Sequence, residues 1–124
     1  MPRFVHIDIS ADDPERAAQF YRDVFGWTVT KLDGPVPYWL IATGTDPGEI
    51  GGGIGQRSES WQTVIPTIDV DSVDDYQTKL EAAGGTVVTP KQLIPGVGHL
   101  MNFRDPEGNV FSILEAAADN PFVG

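Results

Sequence analysis

Apolar and polar side chains alternate over residues 4–9, and apolar ones then recur every three or four residues from Ala17 to Phe25. That change of period predicts a strand followed by a helix. On the strand, Val5, Ile7 and Ile9 share one face; Phe4, His6 and Asp8 share the other. Asp12 and Asp13 offer N-cap oxygens, and Pro14 suits the first helical position, where its missing N–H costs little. Ala17, Phe20, Tyr21, Val24 and Phe25 form the helical stripe, and Gly26 is placed to end it in a left-handed cap. Strands follow over residues 27–32, 38–43 and 51–57, separated by the turn-rich residues 33–37 and the Asp46-Pro47-Gly48 turn.

The second half runs in the same order. A strand over residues 63–70 leads to Asp71, a capping residue, and to a helix whose stripe is Val73, Tyr76, Leu80 and Ala83. Gly84-Gly85 ends that helix. Strands are expected over 86–89, 99–103 and 110–115, with breaks at 92–98 and 105–109, and the tail from residue 116 has no period.

A shift of 59 residues aligns the halves without a gap from His6 to Gln56. Ile9 meets Ile68, Asp12 meets Asp71, Gly26 meets Gly85, Val29-Thr30 meets Val88-Thr89, Asp46-Pro47 meets Asp105-Pro106, and Ile54 meets Ile113. The identities sit at caps, turns and strand centres, where a tandem copy would keep them. Each half reads strand–helix–strand–strand–strand. The expected fold is therefore α+β in one 124-residue domain, with module one at about residues 4–57 and module two at about 63–116. Side by side, the modules give an eight-stranded sheet curved around a cleft, with the helices outside. The continuous apolar face of the first strand belongs against its helix, so Phe4, His6 and Asp8 are expected toward the cleft.

Composition narrows the function. With 8 basic and 18 acidic side chains the formal net charge is −10, which argues against nucleic acid or an anionic membrane as partner. There is no apolar run long enough to span a bilayer, and the first ten residues lack a secretory signal core. The absence of cysteine removes disulfides, thiolate metal sites and cysteine nucleophiles. A cytoplasmic protein with a small-molecule ligand is the expectation.

The paired βαβββ modules, the Phe20-Tyr21 and Phe25-Gly26-Trp27 helix end, and the late Phe103-Arg104-Asp105-Pro106-Glu107-Gly108-Asn109 run followed by Phe111 to Glu115 resemble the vicinal oxygen chelate superfamily. That group contains glyoxalases, bleomycin resistance proteins and extradiol dioxygenases. The resemblance covers about residues 4–116. It implies up to four cleft ligands for a divalent metal, from the first and last strands of each module. Carried over, those positions are His6, Gln56, Ile65 and Glu115, of which Ile65 cannot ligate. His6, Gln56 and Glu115 with water would make an open three-ligand site for Zn, Ni, Fe or Mn. The two-His-one-carboxylate set of a dioxygenase is not supplied at these positions. Without metal, His6 and Glu115 could form an acid–base pair.

Asp8, Trp39, Ile65, His99, Met101 and Phe111 are the candidate ligand contacts, with Tyr38, Trp61 and Phe103 as further aromatic walls that equally suit a core. The Gly51-Gly52-Gly53 run lacks the Lys and Ser/Thr of a phosphate loop, and reads better as a strand that another group approaches closely. Two functions fit these residues. One is a glyoxalase-like metal-dependent lyase or isomerase acting on a small oxygenated substrate. The other is a metal-free small-molecule binder of the bleomycin-resistance type. The resemblance implies a homodimer in either case.

Overall fold

The computed structural model describes residues 2–46, 48–58 and 63–118. It contains β1 (Arg3–Ala11), α1 (Pro14–Phe25), β2 (Thr28–Leu32), β3 (Tyr38–Ala42), β4 (Gly51–Gln56), β5 (Val64–Asp69), α2 (Val73–Ala82), β6 (Thr86–Ile94), β7 (Gly98–Arg104) and β8 (Val110–Ala116). The strands hydrogen-bond in the order β2-β3-β4-β1-β5-β8-β7-β6, an open mixed sheet built from two βαβββ repeats. Trp61 lies outside the described residues. Among the described residues no helix is long and apolar enough to cross a membrane.

The chain divides into two compact units, His6–Ile65, and Met1–Val5 with Pro66–Gly124. In the first, β1 runs parallel to β4, and β2-β3-β4 is an antiparallel meander. Ala11, Ala18, Val29, Trp39, Ile41 and Ile54 form its buried core, with Ile9, Ala17, Tyr21 and Trp27 packed against them. Ala18, with Ala17 and Tyr21, packs α1 against one face of the strands, whereas Phe20, Val24 and Phe25 of the expected stripe stay more than half exposed. Ile9 and Ala11 lie on that face, so the alternation places His6 and Asp8 on the other. In the second unit β5 runs parallel to β8, and β6-β7-β8 is antiparallel. Its core is Val70, Val73, Met101 and Ile113, with Ile68, Tyr76, Leu80, Val87 and Phe103 around it.

The 59-residue shift survives at the helix N-termini. The caps are Asp13 and Ser72, one residue later than the expected Asp71 in the second repeat. Asp13 accepts from the Arg16 N–H at 3.1 Å, and Ser72 Oγ accepts from the Asp75 N–H at 3.2 Å. The shift fails at the other ends. α1 stops at Gly26 with φ +68°, whereas α2 stops earlier and the left-handed residue is Gly84, at φ +99°. β6 also departs from expectation. It was expected to stop before Pro90 but continues to Ile94, with register shifts between Val87 and Thr89 and between Thr89 and Gln92. It is an edge strand, where a proline without an N–H is tolerated.

The Asp105-Pro106-Glu107-Gly108-Asn109 segment is a locked turn. Asp105 Oδ1 accepts from the Glu107 and Asn109 N–H groups at 2.9 and 3.0 Å, and Oδ2 accepts from Asn109 Nδ2 at 3.0 Å. The Asn109 side chain is the largest of the influences that hold the Asp105 carboxyl below its ordinary value of 3.8. A depressed carboxyl stabilises the fold above its unfolded pKa and loses that contribution as pH falls through the folded value. Asp105→Ala is therefore expected to lower the melting temperature at pH 7. Thermal melts down to pH 2 check this: the gap between variant and wild type should close as the solution becomes acidic.

Candidate functional site

Three polar side chains converge on the face of the first unit opposite α1. His6 and Asp8 come from β1, two residues apart and therefore on the same side; Tyr38 opens β3, next to core-facing Trp39. The Tyr38 hydroxyl donates to Asp8 Oδ1 at 2.5 Å. His6 Nε2 lies 2.7 Å from Tyr38 Oη and 3.2 Å from Asp8 Oδ1. The His6 and Tyr38 rings are nearly parallel, with an interplanar angle of 20°. The His6 and Asp8 side chains keep 22% and 21% of their exposure, so the cluster is reachable from solvent but largely shielded. Burial first, then the Asp8 charge and hydrogen bond, raises the Tyr38 pKa far above the ordinary value of 10. The phenol therefore stays protonated and remains a donor.

The glycine run of β4 makes room for this arrangement. β1 and β4 pair with Asp8 opposite Gly53 and Ile7 opposite Gly52. A Cβ on Gly52 would stand 2.3 Å from the Ile7 carbonyl oxygen. A Cβ on Gly53 would stand 1.7 Å from Tyr38 Oη, so the phenol occupies space that a side chain at 53 would fill. The approach expected of the glycines is thus by a neighbouring backbone at Gly52 and by a tyrosine side chain at Gly53.

The other expected site residues are placed differently. Gln56 has the parity of Ile54, so it lies on the α1 side, and its Nε2 donates to the Asp12 carbonyl at 3.0 Å. Glu115 was expected on the cleft side but has the parity of Ile113, which is buried beneath α2. Glu115 Oε1 accepts from the Val73 N–H at 3.0 Å, tying β8 to the first residue of α2. Gln56 and Glu115 are repeat equivalents, but their partners are not. Pro14, where Val73 stands in the second repeat, has no N–H to offer, and the corresponding strand residue is a glutamine that donates to a carbonyl instead of a glutamate that accepts.

His99, whose face alternation alone left open, pairs with Glu115 across β7 and β8. Its Nδ1 stands 3.9 Å from Glu115 Oε2. Trp39 is 6% exposed in the α1-side core, with its indole N–H donated to Glu15 Oε2 at 2.6 Å. Met101 is buried under α2 and Ile65 is buried in β5, so both are packing residues in place of open ligand contacts. Phe111 stacks between Phe4 and Phe103, with centroids 6.4 and 5.9 Å away. Of the expected ligand contacts, only Asp8 sits with His6. Tyr38, weighed from sequence as an aromatic wall, is instead a polar partner of both, and Gly53 is the position that admits it.

The residues that the resemblance implies as metal ligands do not fit a metal centre. His6 Nε2 is engaged by Asp8 and Tyr38, the Gln56 amide serves the start of α1, and Glu115 serves the start of α2. Among the described residues no group of three or more His, Cys, Asp or Glu side chains is arranged to hold an ion.

Residues 3–113 match the model of the Glyoxalase/Bleomycin resistance protein/Dioxygenase superfamily. A glyoxylase-like domain-containing protein of Didymella fabae is 36% identical over 115 residues, covering 86% of this chain and 88% of that one. A putative glyoxylase, CFP32, of Mycobacterium bovis is 28% identical over 118 residues, covering 89% of this chain but 42% of its own length. The chain thus spans under half of that relative. The crystal structure of methylmalonyl-CoA epimerase from Mycobacterium tuberculosis superposes with a TM-score of 0.67 at 14% identity, over 92% of this chain and 87% of that one, a likeness of fold alone. The chain belongs to the Glyoxalase/Bleomycin resistance protein/Dioxygenase superfamily.

Proposed function

We propose that this glyoxalase-like chain binds a small oxygenated molecule at the His6–Asp8–Tyr38 face and exchanges a proton with it at His6, without a resident metal. The observation that carries the reading is the hydrogen-bonded cluster itself: an imidazole held by a carboxylate and a phenol, partly open to solvent. Imidazole is suited to taking and returning a proton near neutral pH, and a fixed carboxylate beside it orients the ring. In the step this supports, the ring removes a proton from a carbon next to a carbonyl or from a hydroxyl, and returns it to the same molecule at another atom. The net change is an isomerisation with no co-reactant.

The metal-dependent lyase is the competing reading of the same family, and it requires Gln56 and Glu115 to leave the helix N-termini they now serve. The exposed Phe20, Val24 and Phe25 on α1, each 55–57% exposed, support the homodimer as part of this proposal.

A panel of small 2-oxo acids and hydroxyketones, titrated into ¹⁵N-labelled protein, tests the reading. At least one compound is expected to shift the signals of residues 6, 8 and 38, and His6→Ala should weaken that compound at least about tenfold, the loss of roughly 1.4 kcal/mol. A compound that binds equally well to His6→Ala, or a panel that leaves these signals unmoved while a divalent metal shifts them, contradicts it.

A further inference from the structure

The geometry points to Tyr38 as a positioning residue: admitted by Gly53, it holds His6 as the Nε2–H tautomer and leaves Nδ1 as the ring's acceptor. A phenol has one proton, and here it goes to Asp8 Oδ1 at 2.5 Å. Tyr38 Oη can then only accept from His6, 2.7 Å away, which requires a hydrogen on Nε2. Asp8 Oδ1, 3.2 Å from the same nitrogen, makes the same demand, because a bare ring nitrogen would set its lone pair against a carboxylate oxygen. Both neighbours therefore select one tautomer. The arrangement depends on position 53, since any side chain there would collide with the Tyr38 hydroxyl.

The consequence concerns the class of ligand. A neutral ring fixed this way offers an acceptor, so it suits a molecule that brings a hydroxyl hydrogen or an acidic C–H, as a hydroxyketone or enolisable carbonyl compound does. Nε2 is already committed inside the protein. This deepens the proposed function and rests on its choice of His6 as the working group, but the tautomer is read without ligand. If the tautomer is as inferred and no compound binds, the functional reading fails alone.

The test is the long-range ¹H–¹⁵N spectrum of His6 in the wild-type chain, recorded where the ring is neutral, and in Tyr38→Phe and Gly53→Val. The wild type is expected to show the Nε2–H form alone, with a slowly exchanging Hε2 signal. Tyr38→Phe, which keeps the ring and removes only the hydroxyl, leaves Asp8 Oδ1 at 3.2 Å to hold Nε2, so the Hε2 signal should shift and exchange faster with solvent. Gly53→Val, by displacing the phenol, should give the same spectrum as Tyr38→Phe. A protonated Nδ1 in the neutral wild-type ring, averaged tautomers in the wild type, or an unchanged His6 spectrum in Tyr38→Phe would overturn the inference. Tyr38→Phe alone keeps it falsifiable if Gly53→Val does not fold.

Discussion

Ile54→Ala is expected to lower the unfolding free energy by about 2–5 kcal/mol, the range for deleting a fully buried aliphatic side chain where the surroundings relax incompletely. Ile54 is 0% exposed and is the core residue of β4, packed with Trp39, Ile41 and Ala18 on the α1 side. Its neighbours in sequence, Gly53 and Gly55, bring no side chain that could collapse into the space. The same residue supports the polar cluster from behind, because Gly53 turns to the opposite face at the next position. Urea unfolding gives the size of the loss, and Ile54→Val, which removes one methylene, should cost about 0.5–1.5 kcal/mol. A loss below about 1 kcal/mol for Ile54→Ala would mean that this core is not packed as described.

Glu115→Ala is expected to cost about 1–3 kcal/mol, because it strips the acceptor from the Val73 N–H, on a residue that is itself fully buried. It also removes a negative charge from the N-terminus of α2, where the helix dipole favours one. Glu115→Gln keeps an oxygen for the Val73 N–H and should recover most of the loss, which separates the hydrogen bond from the charge. Amide exchange at Val73 gives a local check. Protection there should fall in Glu115→Ala and largely return in Glu115→Gln. Ligand effects at residues 6, 8 and 38 should be unchanged in either variant that remains folded.

Alternation was enough to read half of this site. Val5, Ile7 and Ile9 are apolar and His6 and Asp8 are not, so the helix-facing side of β1 could be chosen from the chain alone, and Ile9 does pack toward α1. β8 offers no such contrast. Alternation puts Phe111, Ile113 and Glu115 together, yet Val110, Ser112 and Leu114 opposite them are also buried or nearly so. Only the contact of Ile113 with Val73 and Met101 decides which face meets α2, and that carries Glu115 to the helix side.

Tyr38 and Gly53 were hidden for a different reason. Their meeting depends on the registers of β3 on β4 and of β1 on β4, which pair Leu40 and Asp8 with the same Gly53. A one-residue slip in either would turn the phenol away from Asp8, and local sequence does not encode that register. The tandem copy, by contrast, was legible from identities such as Asp12 with Asp71 and Ile54 with Ile113; the caps themselves, Asp13 and Ser72, lie one residue later, 59 apart and not identical.

In the proposed function His6 works with Asp8 and Tyr38 while Gln56 and Glu115 hold the helix starts, with no resident metal among them. Metal content per chain tests it most directly, measured on wild-type protein after incubation with Zn, Ni, Fe or Mn salts and desalting, and repeated on His6→Ala and Glu115→Ala. Well under one equivalent of each metal is expected in the wild type, with no difference in the variants. One tightly held equivalent in the wild type, lost in both His6→Ala and Glu115→Ala, would contradict it.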